Sequence, residues 1–492
     1  MKTSRRGFLR LGCAVALSSK VSLSKPIDDT GLVVNDIHSQ LNRTVVDSII
    51  SPRSISDIQS AIANAKSRRR PISIAGGRHA MGTQQFGTDA VLLDMREMNR
   101  VLSLDRERGL VEAESGILWP KLIGYLNEAQ AGQDKQWGII QKQTGADRLS
   151  LGGALAANVH GRGLNLKPII DNVESFTLID AQGGLKKCSR QENSELFRLA
   201  IGGYGLFGVV LSVQLRLRPR VKVQRVVEIR ETRDIPAMFD QRIKDGYLYG
   251  DFQYATDSNR ESFMRRGVFS CYRPVDPATP LTINPTRFHP EDWAKLTYYT
   301  HKYKRRAFEV YTKRYLETSG QIYWADSQLS GAYVDNYHED LDRKIGARVK
   351  GTEMITEIYI PRNSLVNFME AAREELKRQK ANVIYGTVRL IEKDTESFLA
   401  WARESWACVI FNLHIDHEPQ KIAAAATAFR SLIDIAVNFD GSYYLTYHRW
   451  ATRDQVEKCY PPFREFLKLK QKYDPEELFQ SDWYRHHKRM FT

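Results

Sequence analysis

Cysteine is scarce in this chain of 492 residues: there are five, one of them within the first 24. The other four, Cys188, Cys271, Cys408 and Cys459, stand far apart with no C-x-x-C pair. Neither a zinc site nor a disulfide framework is indicated, no metal site is read, and a single disulfide stays open. No apolar run approaches the roughly 20 residues that a membrane span needs. Also missing are G-x-G-x-x-G opening a helix and G-x-x-x-x-G-K-[ST], which sets aside the usual nicotinamide and NTPase sites. No internal repeat or low-complexity tract is present. What is there, 42% hydrophobic and 10% aromatic residues, is an ordinary globular composition with room for two or three domains.

The formal charge of +14 invites a nucleic-acid reading, but part of it lies at the start, "MKTSRRGFLRLGCAVALSSKVSLSKP". Arg5 and Arg6 are followed by Phe8 and Leu9, a short apolar stretch to Leu17, and small residues. This pattern reads as a twin-arginine export signal over residues 1–24 and predicts a periplasmic or extracellular protein. Its removal takes five cations and no acid, leaving about +9 of the +14. The remaining basic runs, "KSRRRP" and "HKYKRRAFEV", come with no nucleic-acid module, so they read as solvated faces and no nucleic-acid partner is expected. Twin-arginine export carries folded proteins, which suits a chain that acquires a cofactor before leaving.

From Asp36 to Pro219 short strands alternate with helical segments. Ser56 is read as the N-cap of a helix that buries Ile58, Ala61, Ile62 and Ala65, with Pro71 opening the next strand. In "LWPKLIGYLNEAQ", Pro120 is tolerated only in a first helical turn. Three glycine-rich stretches punctuate this half: "PISIAGGRHAMG" (71–82), "SLGGALAANVHGRG" (150–163) and "IGGYGLFGVV" (201–210). Glycine lets bare backbone approach a ligand, and three such turns in one half of the chain point to an extended ligand bearing phosphates. "RPRVKVQRVVEIRE" then leads into a second region that mixes helices and strands to about residue 440.

These stretches resemble the flavoproteins of the vanillyl-alcohol oxidase and p-cresol methylhydroxylase (PCMH) superfamily, nearest in pattern to the aldonolactone and alditol oxidases. The resemblance is carried by "ISIAGGRHAMG", "TGADRLSLGGALAANVHGRG", "GGYGLFGVVLSVQLRLRP" and, more loosely, "YDPEELF". It implies an α+β fold: a PCMH-type FAD-binding domain of two α+β subdomains (36–219), an α+β substrate cap with an antiparallel sheet (220–440), and a C-terminal segment (441–492) returning to the flavin domain. It implies FAD as cofactor, bonded covalently through its 8α-methyl to His79. By position, Gly76, Gly77, Arg78, Ala80 and Met81, with Ser150, Gly152 and Gly153, would bind the cofactor's pyrophosphate stretch. Asn158, His160 and Gly161 would lie by the ring, and Gly208, Val209 and Val210 by the adenine. A second attachment through cysteine is not expected, because Ala146 stands at that position.

Candidate strands of the second region place polar residues on one face at period two. Glu357 aligns with Ile355 and Tyr359; Tyr385 with Thr387 and Arg389; Asn412 with His414; Asp251 with Gln253; Tyr444 with His448. Such a set suits the lining of a pocket for a hydroxyl-rich small molecule. Oxidation of a CH–OH group needs a base or orienting acceptor, for which Glu357 and His414 are the candidates, and a cation or donor, for which Arg389 and Asn412 are the candidates. Two features depart from the aldonolactone and alditol oxidase pattern: Tyr359 stands where an E-I-R strand has its arginine, and "YHRWATRD" replaces an H-W-x-K stretch. The leading expectation is an exported FAD-dependent oxidoreductase passing hydride from carbon to flavin N5. Oxygen or an electron carrier is left open as acceptor, and a basic or carbohydrate-binding protein without turnover is the reading from another class.

Overall fold

The computed structural model describes residues 32–145, 147–329 and 337–492, so residues 1–24, read above as an export signal, and Ala146 lie outside the described residues. Three sheets carry the architecture. The first is parallel, in the order Ser48–Ile50, Val91–Asp94, Ile72–Ala75. Helix Ile55–Ser67 crosses between two of its strands and buries Ile58, Ala61, Ile62 and Ala65 against it. The helix is capped by Ser54, not Ser56: Ser54 Oγ accepts from the Asp57 amide at 3.2 Å while Asp57 accepts from the Ser54 amide at 3.0 Å. The reciprocal pair of a capping box forms between Ser54 and Asp57, which fixes the helix start there. A late segment returns to this sheet: Ile72 bridges Phe479 in parallel, its amide donating to Leu478 O at 2.6 Å.

The second sheet is antiparallel, in the order Leu185–Ser189, Val173–Ile179, Val209–Pro219, Leu110–Glu114, Val101–Asp105, with Trp137–Ile139 on the far end of Val209–Pro219. Helix Trp119–Ala129 carries Pro120 in its first turn, where no backbone donor is lost. Crossing at 220–221, the chain enters the third sheet, with eight strands in the order Ile322–Trp324, Lys222–Glu231, Arg266–Pro274, Tyr249–Tyr254, Val383–Ile391, Trp406–Asp416, Gly351–Pro361, Ser442–Tyr443. All its pairings are antiparallel. The fold is α+β.

One face of the third sheet is apolar and lies under helices Leu365–Arg378 and Pro419–Val437, which bury Phe368, Met369, Leu376, Phe429, Leu432 and Ile433. Each such side chain contributes about 1.5–3 kcal/mol on leaving water. The alternation continues through the strand: Thr356 points to this side and meets His448 at 3.2 Å, while Glu357 points away. His448 therefore belongs to the core, stacked among Tyr443, Phe429 and Trp450. This corrects its assignment to the pocket lining. The other face of the sheet, turned toward the first two sheets, carries the polar set. Among the described residues all four later cysteines are buried free thiols, which closes the question of a disulfide. No helix among the described residues is long and apolar enough to cross a membrane.

Candidate functional site

The first two glycine turns touch each other. A Cβ on Gly76 would fall 1.9 Å from Ser150 Oγ, and one on Gly77 would fall 1.7 Å from the Arg148 carbonyl oxygen. Only bare backbone fits there. Arg78 follows in a left-handed conformation (φ 56°), held by its carbonyl accepting from the Ile37 amide at 3.0 Å and its guanidinium donating to Asp94 at 2.9 Å. Gly152 packs on Ser115, whose Oγ is buried without a hydrogen-bond partner. Ser150 caps helix Leu151–Ala157, accepting from the Gly153 amide at 3.2 Å. Gly208 (φ 143°) packs against Ile179 O, and Val209 and Val210 pair with the Val173–Ile179 strand. Backbone cradles, the unpartnered Ser115 hydroxyl and a basic Arg78 suit a pyrophosphate-bearing cofactor.

Not every predicted cofactor residue is open to one. Asn158 is fully buried and spent within the protein: its amide donates to Asp394 at 2.9 Å and accepts from the Ile170 amide at 3.1 Å. Met81 is a core side chain, its carbonyl accepting from Asn42, and the Ala80 carbonyl accepts from Gln85. Gly161 packs on the Lys142 carbonyl. His79 stacks on His38 with centroids 5.5 Å apart, and desolvation together with that second ring lowers its pKa to about 3. The imidazole is thus neutral near pH 7, with a lone pair to offer.

His160 reaches from the second glycine stretch to the third sheet. Its Nε2 meets Glu357 Oε2 at 2.8 Å and its Nδ1 faces the Gly161 carbonyl at 3.0 Å. Glu357 is 1% exposed and also accepts from Tyr447 at Oε1 (2.9 Å) and from Tyr359 at Oε2 (3.0 Å), with Cys408 Sγ at 3.7 Å. Burial pushes its pKa up, but the His160 charge and hydrogen bond, with Arg389 and Tyr447, outweigh that and hold it below the usual carboxylate range. Burial drives the Tyr447, Tyr359 and Cys408 protons to stay on.

Glu357 looks onto a cavity of about 1090 Å³. The sheet contributes Asp251, Gln253, Tyr385, Arg389 and Asn412; the facing loops contribute His38, Gln143 and Arg162; helices Pro290–Lys302 and Lys304–Glu317 contribute Trp293, Leu296, Tyr311 and Tyr315. Thr387 holds Asp251 from behind at 3.4 Å, and Gln253 donates to Asp251 at 2.6 Å. Arg389 Nε, Asp251 Oδ1, Gln253 Oε1 and Asn412 Oδ1 are buried atoms without hydrogen-bond partners. Arg389 lies in register with Cys408, and Cys408 with Tyr359. The cation missing at Tyr359 thus enters the same row from two strands away.

His414 is not part of this group. It lies two register pairs beyond Asn412, beside Glu353 and His301. Sequence reasoning missed Tyr447, Arg162 and Arg225, the last two lying over opposite parts of the Tyr272 environment at 4.9 and 5.5 Å from its ring centroid. Arg162 sits in "VHGRG", where a cation inside a glycine-rich ligand loop was the available signal.

Comparison with known proteins separates the two halves. Residues 46–189 match the FAD binding domain family, and residues 344–487 match the D-arabinono-1,4-lactone oxidase family. The first matched segment is thus similar to an FAD binding domain and the second to a lactone oxidase domain. L-gulonolactone oxidase from Bos taurus is 26% identical over 193 residues, 39% of this chain and 42% of that protein. The chain therefore aligns with about two fifths of that relative's length. L-gulono-1,4-lactone dehydrogenase from Mycobacterium tuberculosis is 21% identical over 446 residues, 89% of this chain and 95% of the relative. A putative D-arabinono-1,4-lactone oxidase from Neurospora crassa is 25% identical over 170 residues, covering 35% and 29% of the two chains. The first two glycine turns fall in the first matched segment and Glu357, Arg389 and Asn412 in the second, while the third glycine stretch (201–210) lies between them.

Proposed function

We propose that this protein is an FAD-dependent oxidoreductase that oxidises a CH–OH group of a small, hydroxyl-rich, lactone- or sugar-like molecule. One observation carries the reading: a buried, charged Glu357 faces a cavity where Arg389 Nε, Gln253 Oε1 and Asn412 Oδ1 have no hydrogen-bond partner and Asp251 Oδ1 meets Arg162 only at 3.5 Å. Three of those atoms are acceptors and one is a donor, so the complementary ligand offers several hydroxyl protons and an oxygen for Arg389.

FAD, when bound, supplies the acceptor for the hydride at N5. Glu357 accepts a hydrogen bond from the reacting hydroxyl. Held charged by His160, it is a weak base, and it takes the proton as the C–H electron pair departs, when that hydroxyl becomes strongly acidic. Arg389 steadies the substrate oxygen, and Tyr447 and Tyr359 fix the carboxylate. The neutral His79 imidazole serves as the covalent tether. The S-R-R-x-F-L start supports export, and a tether keeps the cofactor where no replacement exists. The final acceptor is oxygen or an electron carrier; the relative matched over nearly the whole chain bears the name dehydrogenase.

The test is anaerobic mixing of the purified yellow protein with aldonolactones, alditols and aldoses. Bleaching of the flavin by at least one class, abolished in Glu357→Gln, supports the proposal. A flavin that stays oxidised with every class overturns it.

A further inference from the structure

A second cluster of ligating side chains lies at the other end of the Glu357 strand. Register sets Glu353 opposite His414, and helix Pro290–Lys302 lays His301 across them. His301 Nε2 and His414 Nδ1 converge on one oxygen, Glu353 Oε1, at 3.0 and 3.2 Å. The two rings are perpendicular, with centroids 4.8 Å apart. The side chains of His301, Glu353 and His414 are 3%, 1% and 9% exposed.

Their hydrogen bonding does not close with neutral rings. His301 Nδ1 lies 2.8 Å from the Thr297 carbonyl, which can only accept, so that nitrogen carries the proton and Nε2 turns a lone pair on a carboxylate. His414 is in the same position, with Nε2 facing Asp416 at 3.4 Å and Nδ1 facing Glu353. The second carboxylate oxygen, Glu353 Oε2, is buried and has no partner. Glu357 differs in number and not in kind: a single histidine meets it, His160, whose Nδ1 likewise faces a carbonyl, and tyrosine hydroxyls occupy both its oxygens. Protonating both His301 and His414 would put two cations against one oxygen and still leave Oε2 bare.

A divalent cation gives both imidazole lone pairs and Glu353 Oε1 a common partner. The three ligand atoms lie within 4.8 Å of one another, and the 3.0 and 3.2 Å separations are near the edge of a tetrahedron with metal bonds of about 2.0–2.1 Å. The Thr297 carbonyl on His301 and the Asp416 carboxylate on His414 are the outer partners that orient metal-bound imidazoles. We propose that His301, Glu353 and His414 form a site for a divalent transition-metal ion, zinc fitting best, with a fourth position for water. The helix that carries His301 also places Trp293, Leu296, Thr297 and Thr300 on the wall of the substrate cavity. Metal at this site fastens that wall to the sheet.

The flavin-loaded protein is stripped with a chelator and titrated with Zn²⁺ by calorimetry, and separately with Co²⁺ by visible difference spectroscopy. One Zn²⁺ per chain is expected, with intense tetrahedral Co²⁺ bands and a higher Tm on Zn²⁺ addition. His301→Ala and His414→Ala should each weaken Zn²⁺ binding by at least the roughly 10–100-fold that loss of an outer partner alone costs. Wild-type protein that binds no Zn²⁺, or shows only the faint spectrum of hydrated Co²⁺, overturns the proposal. So does undiminished binding in both variants. Should the variants fail to fold, the wild-type Co²⁺ spectrum decides alone.

Discussion

His160 and Glu357, separated by 197 residues of chain, meet at 2.8 Å. One comes from a glycine-rich loop of the segment matched to the FAD binding domain, the other from the middle of Gly351–Pro361, the last strand but one of the eight-stranded sheet. Their bond joins the cofactor side of the molecule to the substrate side and sets the charge on the carboxylate that faces the cavity.

Replacing Glu357 with Gln keeps the shape and removes the charge. Loss of a positioned acid–base group costs about 10²–10⁴-fold. The rate of anaerobic flavin reduction should fall by that factor while the visible spectrum of the oxidised protein stays unchanged.

His79→Ala should separate colour from protein. In the wild type the yellow chromophore stays with the acid-precipitated pellet; in the variant it passes to the supernatant. Colour leaving the wild-type pellet would exclude the tether.

Gly76→Ala and Gly77→Ala should behave differently. The first drives a methyl into Ser150 Oγ, a side chain, so Ser150→Gly should relieve part of the damage; the second meets the Arg148 backbone, which no side-chain change relieves. Each should cost about 1–3 kcal/mol or more, read as a drop in Tm and in flavin content.

Arg389→Ala removes a donor aimed into the cavity. A hydrogen bond from a charged group contributes about 1.5–3 kcal/mol, so kcat/KM should fall by roughly 10–100-fold. Charge without the planar guanidinium, in Arg389→Lys, should restore only part of this.

Acid should destabilise the fold from a known quarter. His448 and His487 are buried and their pKa values are lowered from 6.5 to about 3 by desolvation. Between these values the unfolded chain binds protons that the folded chain refuses, so stability is full above pH 6.5 and falls as pH drops toward 3. Each group contributes at most about 1.4 kcal/mol per pH unit in that window. Chemical denaturation of His448→Phe at several pH values should show a shallower decline than the wild type.

The parts of the site that follow a local rule were legible in the sequence. Glycine pairs after a strand mark backbone approach, and period-two polarity put Glu357, Arg389, Asn412, Asp251 and Gln253 on one face, where the cavity is. The same rule failed for His448, because the chain leaves the sheet after Tyr443 and the alternation ends with it. It also grouped His414 with Glu357, since facing is periodic but position along a strand is not. Glu353's partner His301 comes from a helix whose docking no local pattern encodes. Asn158 was placed by the ring on resemblance, yet its contacts run to Asp394 and Trp401, far along the chain.

The pairing of Ile72 with Phe479 has a consequence for the order of events in the cell. A strand made early by the ribosome borders a segment made much later, so the parallel sheet beside the first glycine turn is completed only after that segment has emerged. Contacts so distant in sequence form slowly. The cofactor cradle then settles late, and loading with flavin becomes a report that the chain as far as Phe479 has been made and folded.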